Sequence, residues 1–245
     1  MRPWVPSSAI CEAPAQLTRF NLVVLPRAHA YEYLAFCSLN PQACSVVSVG
    51  EVGSPILEDM SRCDVRTAAG CYDVIEHGCT TRQISNLTDA WREDFVAIAI
   101  GCSLALDTLL LEQGICPKHL RTKSRVPVFR TARKARSVGL FSSNLFVTMR
   151  VFSEAEVVRV CQISGRYPVL HGSPVHVGAP EPLGIDPQPV LGDPVLADVG
   201  ELAVYWGCGV TAATALQNAN LPLAFKNSDM NLCVSRLPLH TLASS

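Results

Sequence analysis

The chain contains the same short arrangement twice: an apolar run expected to form a strand, then Gly-Cys and a small residue, then a helical segment. The arrangement occurs at Ile98–Ser103 and again at Val204–Gly209. Glycine lets the chain turn there, and free amides at a helix start bind anions and lower the pKa of a thiol. We therefore expect Cys102 and Cys208 to line one anion-binding cleft. The alternative is that both are inert core residues, which is the commoner role of a small buried cysteine.

Strand and helix patterns alternate along most of the chain, which predicts an α/β fold with mixed sheets and flanking helices. The expected strands are Phe20–Leu25, Val46–Val49, Val74–Ile75, Phe95–Ile100, Val126–Thr131, Leu145–Val151 and Leu202–Trp206. The expected helices are Ala28–Leu39, Asn86–Asp94, Leu104–Gln113 before Gly114, 154–164 behind a Ser153/Glu156 capping box, and Val210–Ala219.

The 245 residues are enough for one large domain. Residues 1–19 are expected to form an irregular lead-in, and 20–245 a single α/β catalytic unit. A smaller β-rich subdomain is expected around 41–86, where valine-rich runs alternate with glycine turns.

The segment Arg166–Ile185 holds two histidines, four prolines and three glycines in twenty residues, so it cannot form a helix. Its interleaved aliphatic residues favour a shaped loop over disorder. Loops of this kind often carry function, which makes His171 and His176 candidate site residues. The alternative is that both are structural histidines.

Charge gives little evidence for a nucleic acid or membrane partner, because the net charge is −1. Eight of the 20 Lys and Arg lie in 118–136, a stretch without acidic residues. This patch forms either a solvated face or a region that attracts a small anionic substrate. Its one aromatic residue, Phe129, does not suffice for stacking nucleic-acid bases.

The eleven cysteines are odd in number and have no regular spacing, so we expect reduced, largely buried thiols. No pair of CxxC motifs supports structural zinc, and His171 and His176 have only Glu181 as an obvious carboxylate neighbour. We therefore expect no metal and no cofactor.

The longest apolar stretch, Phe95–Leu106, is too short to span a bilayer. We therefore expect a soluble cytoplasmic protein. Arg2, Ser7 and Ser8, with no acidic residue before Glu12, leave the mitochondrial matrix as the alternative.

Taken together, the motifs resemble the D-glutamate cyclase family, which is described as a hydro-lyase family. The matching stretches keep the family's order across nearly the whole chain. They are Asn21–Pro26, Phe36-Cys37, Asn40-Pro41, Asp64–Thr67, Ile100–Ser103, Val126-Pro127, Arg130-Thr131, Val147–Arg150, Arg166–Pro168, His171–His176 with Gly178, and Trp206–Thr211.

The resemblance implies two intimately associated α/β subdomains and a cofactor-independent lyase that cyclises D-glutamate to 5-oxo-D-proline with loss of water. The substrate is a small acidic amino acid whose own amine is the nucleophile. Arg130, with the adjacent Thr131, and Arg150 are then expected to bind its carboxylates, although structural ion pairs are an equal alternative. His171 and His176 become the candidate acid and base.

The same resemblance gives roles to the two Gly-Cys turns. Amides around Cys102-Ser103 and Cys208-Gly209 are expected to bind a carboxylate or the developing oxyanion, and the two thiols are counted as catalytic candidates. Thr211 is expected to bind substrate. Ser103 and Thr211 have ordinary helix capping as their alternative.

Three departures from the family pattern support a second hypothesis. The pattern has Gln at the position of Arg19, Asn at that of Ala132, and His with Pro-Gly near 227–230. The second hypothesis is a non-catalytic module that binds an anionic metabolite or a partner protein. A metal-dependent hydrolase or lyase using the two histidines is a third hypothesis, and homo-oligomerisation is left open.

Overall fold

A computed structural model describes residues 17–229 and 231–244. The α/β class is confirmed. The strands are β1 Leu17–Pro26, β2 Val46–Val49, β3 Ile56–Leu57, β4 Cys63–Asp64, β5 Tyr72–Glu76, β6 Cys79–Ile84, β7 Phe95–Gly101, β8 Val128–Lys134, β9 Asn144–Ser153, β10 His176–Val177, β11 Glu201–Gly207, β12 Ala224–Asn227 and β13 Cys233–Pro238. The helices are α1 Arg27–Leu39, α2 Leu104–Glu112, α3 Lys118–Arg121, α4 Glu154–Gly165 and α5 Val210–Asn218.

The larger sheet has seven strands in the order β2-β7-β1-β12-β5-β6, with β13 also paired to β1. Strand β1 is central: it pairs with β7 from Phe20↔Gly101 to Pro26↔Phe95, and with β12 and β13 along its other edge. All these pairings are antiparallel. Strands β2, β5 and β6 of the β-rich region 41–86 belong to this sheet, while β3 and β4 pair with each other.

The larger sheet is buried on both faces, which explains the continuous apolar runs of β1 and β7. Along β1, Val23 and Leu25 face a core that includes side chains of α1 and α5. Leu22 and Val24 face the opposite core, which includes residues of β3 and the segment after β4. Successive side chains of a strand point to opposite faces, so each strand contributes to both cores.

The smaller sheet has the order β10-β11-β9-β8, also antiparallel. Val204 and Trp206 of β11 pack with α2 and α4 on one face. On the other face Tyr205 packs with Leu183 of the Arg166–Ile185 segment and with Val195.

Each Gly-Cys turn carries the chain from one sheet to the helix layer of the other. Strand β7 of the larger sheet leads into α2, which packs on the smaller sheet. Strand β11 of the smaller sheet leads into α5, which packs on the larger sheet. The two sheets are therefore joined where the two turns meet.

Glycine is required at both turns because neighbouring backbone lies against it. A Cβ on Gly101 would overlap the Val169 carbonyl oxygen, and one on Gly207 would overlap the Gln42 carbonyl oxygen. The loops around residues 42 and 169 are thus held directly against the turns.

Two helix-end signals are confirmed. The Ser153 amide donates to Glu156 Oε2 over 3.1 Å at the start of α4, as a capping box requires. Gly114, with φ +74°, follows the end of α2.

The predicted helix at Asn86–Asp94 is wrong, because the segment forms turns. The Thr88 amide donates to Asn86 Oδ1 over 3.0 Å, and a short polar side chain that accepts a local amide competes with helix formation. The irregular lead-in also ends earlier than expected, since β1 begins at Leu17. Residues 1–16 lie outside the described part.

Among the described residues, none of the helices combines the length and the apolar character needed to cross a bilayer.

A substitution of Ile98 tests the core on one face of the larger sheet, because Ile98 is fully buried in β7. We expect Ile98→Ala to lower the free energy of unfolding by about 2–5 kcal/mol, through lost burial and the remaining cavity. Urea denaturation measures the change. Val158→Ala on exposed α4 surface is the control, with an expected change within about 0.5 kcal/mol. Equal changes in the two variants would contradict this core.

Candidate active site

The two Gly-Cys turns enclose one side of a cavity of about 90 Å³. One water needs roughly 10–15 Å³ by a comparable measure, so the cavity has room for a small organic molecule. Its polar lining residues are Asn21, Cys102, Ser103, Thr148, His171, Cys208, Gly209, Lys226, Asn227 and Asp229. The rest of the lining is aliphatic, which lowers the local dielectric constant and strengthens electrostatic interactions inside the cavity.

Cys102 and Cys208 both line this cavity, but the expected lowering of their pKa is wrong. Burial raises the pKa of Cys102 despite the opposing Leu104 amide and the Arg150 charge. Burial likewise raises the pKa of Cys208 to about 12, although the Val210 amide opposes it. Desolvation therefore outweighs the helix starts, and both thiols are neutral near pH 7.

His171 is 1% exposed and lines the cavity. Its Nδ1 lies 3.1 Å from the Gln42 carbonyl oxygen and 3.4 Å from Ser45 Oγ. Ser45 already donates to the Val169 carbonyl, so both neighbours of Nδ1 act as acceptors. We therefore assign the proton to Nδ1. Nε2 is left with a free lone pair and has no protein hydrogen-bond partner.

The ring of His171 is neutral at physiological pH. Burial lowers its pKa to about 4, and the nearby Arg150 charge acts in the same direction. A neutral imidazole with a free lone pair is the form that can accept a proton.

Ser103 and Thr148 place two hydroxyl groups on the cavity wall, with Ser103 Oγ 3.2 Å from Thr148 Oγ1. Arg150 binds both residues. Its Nη2 donates to the Ser103 carbonyl over 2.7 Å, and its Nη1 donates to Thr148 Oγ1 over 3.2 Å. Ser103 makes no side-chain cap for α2, so its hydroxyl is available to the cavity.

Arg150 itself is buried and does not line the cavity. Its Nε donates to Asp107 Oδ1 over 2.6 Å, and His119 Nε2 lies 3.4 Å from the other carboxylate oxygen. Burial alone would raise the pKa of Asp107, but Arg150 and His119 hold it below its usual value. The Arg150 guanidinium therefore forms a structural ion pair with Asp107, which is the alternative to carboxylate binding that was expected from the sequence. Arg150 lies inside β9.

A charged cluster around Lys226, which also lines the cavity, was not predicted from the sequence. Lys226 is 7% exposed, and its Nζ lies 2.7 Å from Asp73 Oδ2 and 3.0 Å from Asp229 Oδ1. Asp73 also accepts from Ser228 and Gln83. A lysine directly after the apolar run 221–225 was the signal that could have identified this cluster, because such a lysine needs buried partners.

Two further polar residues missed from the sequence are Asn21 and Asn227. Asn21 Nδ2 donates to the Gly101 carbonyl over 3.2 Å and lies against Gly209. Asn227 Oδ1 accepts from the Leu22 amide over 2.7 Å. Both side chains fix the central strands beside the turns.

Besides Arg150, four residues predicted for the site do not line the cavity. Arg130 is exposed and donates to Asn144 Oδ1, and Thr131 Oγ1 donates to the Leu145 carbonyl. Thr211 Oγ1 accepts from the Phe146 amide and so does not cap α5. His176 Nε2 lies 2.6 Å from the Ala179 carbonyl oxygen, in β10 at the edge of the smaller sheet. Their roles in the site stay predictions.

The ten cysteines within 17–229 and 231–244 are all free. Over the same residues, no group of three or more His, Cys, Asp and Glu side chains is arranged to hold a metal ion.

The chain is similar to known proteins over most of its length. The family model of D-glutamate cyclase matches residues 96–235. A protein of Burkholderia multivorans named "Putative hydro-lyase" is 39% identical over 97% of this chain and 92% of its own length. Relatives with that name from Burkholderia ambifaria and Paraburkholderia phymatum are 41% and 38% identical, over 91% and 97% of this chain and 87% and 93% of their own lengths.

The fold and the relatives define an α/β hydro-lyase. The chain belongs to the D-glutamate cyclase family.

The buried histidine predicts a pH-dependent stability. Its pKa is about 4 in the folded chain against an ordinary 6.5, so between these values the unfolded chain binds the extra proton. Stability should therefore rise with pH across this window, by up to about 3 kcal/mol. His171→Gln removes the titration. We expect the difference in unfolding free energy between wild type and variant to change across pH 4–6.5 and to be flat above it. A pH-independent difference would contradict the buried neutral ring.

The Arg150–Asp107 pair predicts a non-additive double variant. Arg150→Met leaves the buried Asp107 carboxylate unpaired, so we expect a loss of about 3–5 kcal/mol in unfolding free energy. Adding Asp107→Leu removes that carboxylate and should recover part of the loss. Chemical denaturation of the two single variants and the double variant measures the coupling. Additive losses would show that the pair is not coupled.

Proposed function

We propose that this cavity cyclises D-glutamate, or a similar acidic amino acid, to 5-oxoproline with loss of water. The observation that carries the proposal is the free Nε2 lone pair of the buried, neutral His171, which lines the same small cavity as the ammonium of Lys226. A base and a cation in one cavity meet the two main demands of this reaction, which are deprotonation of the amine and stabilisation of the negative charge that develops on oxygen.

The reaction first needs an unprotonated amine, because an ammonium group has no lone pair with which to attack. His171 Nε2 is the base in our proposal: with its pKa held near 4 by burial, the ring is free to accept the proton at neutral pH. An incoming carboxylate would raise that pKa and strengthen the base when substrate is bound. His171 thus takes one proton from the α-ammonium.

The α-carboxylate is assigned to the start of α2. The hydroxyls of Ser103 and Thr148 are there, and the first amides of a helix favour negative charge. Arg150 adds a positive charge behind them without touching the cavity. This position leaves the α-amine beside His171.

The γ-carboxyl group is then directed toward Lys226. When the amine nitrogen bonds to the γ-carbon, negative charge develops on oxygen, and the Lys226 ammonium stabilises it. Asp229, exposed and 3.0 Å from Lys226, is suited to carry protons to the departing hydroxyl. One C–N bond forms and one C–O bond breaks. The two protons that the α-ammonium gives up, the one held by His171 included, pass to the displaced oxygen, which leaves as water. No cofactor is needed for these steps.

The second candidate function is a non-catalytic module that binds the same acidic metabolite. It is favoured by one observation: Asn227 and Asp229, in the segment that departs from the family pattern, line the cavity. Arg19 and Ala132, the other two departures, do not line it.

Incubation with D- and L-glutamate, followed by chromatography of 5-oxoproline, separates the two candidates. An enzyme is expected to form 5-oxoproline from one enantiomer, and a binding module only to gain thermal stability. His171→Gln should lower kcat by about 10²–10⁴-fold, the usual contribution of a general base.

His176→Gln is the matched histidine variant, and it separates the one-histidine mechanism from the two-histidine prediction. Activity that survives in His176→Gln and is lost in His171→Gln supports the proposal. Unchanged activity in His171→Gln, with the folded state verified by circular dichroism, would contradict it.

A further inference from the structure

The candidate active site borders a second chamber of about 290 Å³, which we call the outer chamber. The two chambers share Lys226 and Asp229, together with Leu191, Val210 and Ala213. Lys226 and Asp229 therefore stand at the junction between them. In the proposed reaction this junction holds the γ-carboxyl group, so the outer chamber lies on the side from which the leaving group departs.

The outer chamber is larger than a departing water requires, since one water needs roughly 10–15 Å³. Its wall also carries polar side chains that the inner cavity lacks, namely Asp73, Thr80, Thr214 and Gln217. These offer both donors and acceptors, which match an amide or peptide substituent.

The charge at the junction fits an amine as leaving group. Asp73 and Asp229 lie 2.7 Å and 3.0 Å from the Lys226 ammonium, so carboxylate oxygens as well as the ammonium border the junction. An amine that leaves takes up a proton and becomes a cation, and nearby carboxylate oxygens stabilise such a cation.

We propose that the same site also cyclises γ-glutamyl amides and γ-glutamyl peptides, with the amine portion held in the outer chamber. This inference rests on the proposed function of the inner cavity. The α-amine nitrogen bonds to the γ-carbonyl carbon, and the bond from that carbon to the amide nitrogen breaks. The proton lost by the attacking nitrogen goes to the leaving nitrogen. The products are 5-oxoproline and a free amine, and no water or oxidant is consumed.

The test is to incubate the full chain with D-glutamate, D-glutamine and γ-D-glutamylglycine, and with their L forms. Both 5-oxoproline and released amine are quantified, and reactions without enzyme correct for spontaneous cyclisation. We expect 5-oxoproline and glycine in equal amounts from γ-D-glutamylglycine. Glycine together with free glutamate would indicate hydrolysis and would overturn the inference.

Thr214 lines the outer chamber but not the inner cavity, so a substitution there tests where the leaving group lies. Thr214→Trp should fill the chamber and lower kcat/KM for γ-D-glutamylglycine by about tenfold or more, while D-glutamate turnover changes less than about twofold. Thr214→Ser is the matched control and should leave both substrates unaffected. Equal effects of Thr214→Trp on both substrates would overturn the assigned position.

The outcomes separate this inference from the function on which it rests. Cyclisation of D-glutamate without any amide turnover overturns the inference and leaves the proposed function intact. Amide turnover without D-glutamate turnover supports the inference and contradicts the free-acid reaction. No product from any substrate overturns both.

Discussion

The buried ion pair between Arg150 and Asp107 holds the two halves of this molecule together at the site. Arg150 belongs to β9 of the smaller sheet, and Asp107 belongs to α2, which continues directly from β7 of the larger sheet. The same guanidinium also donates to the Ser103 carbonyl and to Thr148. Charges this deeply buried are tolerated only when their donors and acceptors are satisfied. The cavity wall is consequently fixed by a network whose disruption would also destabilise the fold.

The crossing of the chain between the two sheets explains why both Gly-Cys turns reach one cavity. The strand before each turn belongs to one sheet, and the helix after the turn packs on the other sheet. The two helix starts therefore converge between the sheets. Gly101 and Gly207 let the loops around Val169 and Gln42 approach the turns. Those loops in turn position His171 through the Gln42 carbonyl. Backbone packing, rather than a dedicated side-chain network, orients the proposed base.

Much of the fold could be predicted from the sequence because its signals are local. The apolar runs of β1 and β7, the capping box at Ser153 and the glycine after α2 each depend on neighbouring residues alone. The helix expected at Asn86–Asp94 failed because the Asn86 side chain accepts a local amide, a competition that composition does not reveal.

The site was less predictable because its properties depend on burial and on distant partners. The convergence of Cys102, Cys208 and His171 was expected, and all three line the cavity. The protonation of the two thiols was not expected. Burial raises their pKa by more than the amides at the helix starts lower it, so both thiols are neutral. Lys226 was missed because its partner Asp73 lies on β5, far away in sequence. From the sequence, Arg150 was expected to bind a substrate carboxylate. In the structure it binds the Asp107 carboxylate instead.

The central claim is that an acidic amino acid is held between the start of α2 and Lys226. A crystal structure with bound 5-oxo-D-proline tests it most directly. The account predicts the product carboxylate within hydrogen-bonding distance of the Ser103 and Thr148 hydroxyls, the ring nitrogen beside His171 Nε2, and the ring carbonyl oxygen toward Lys226. Product bound outside this cavity, for example at the exposed Arg130, would contradict it.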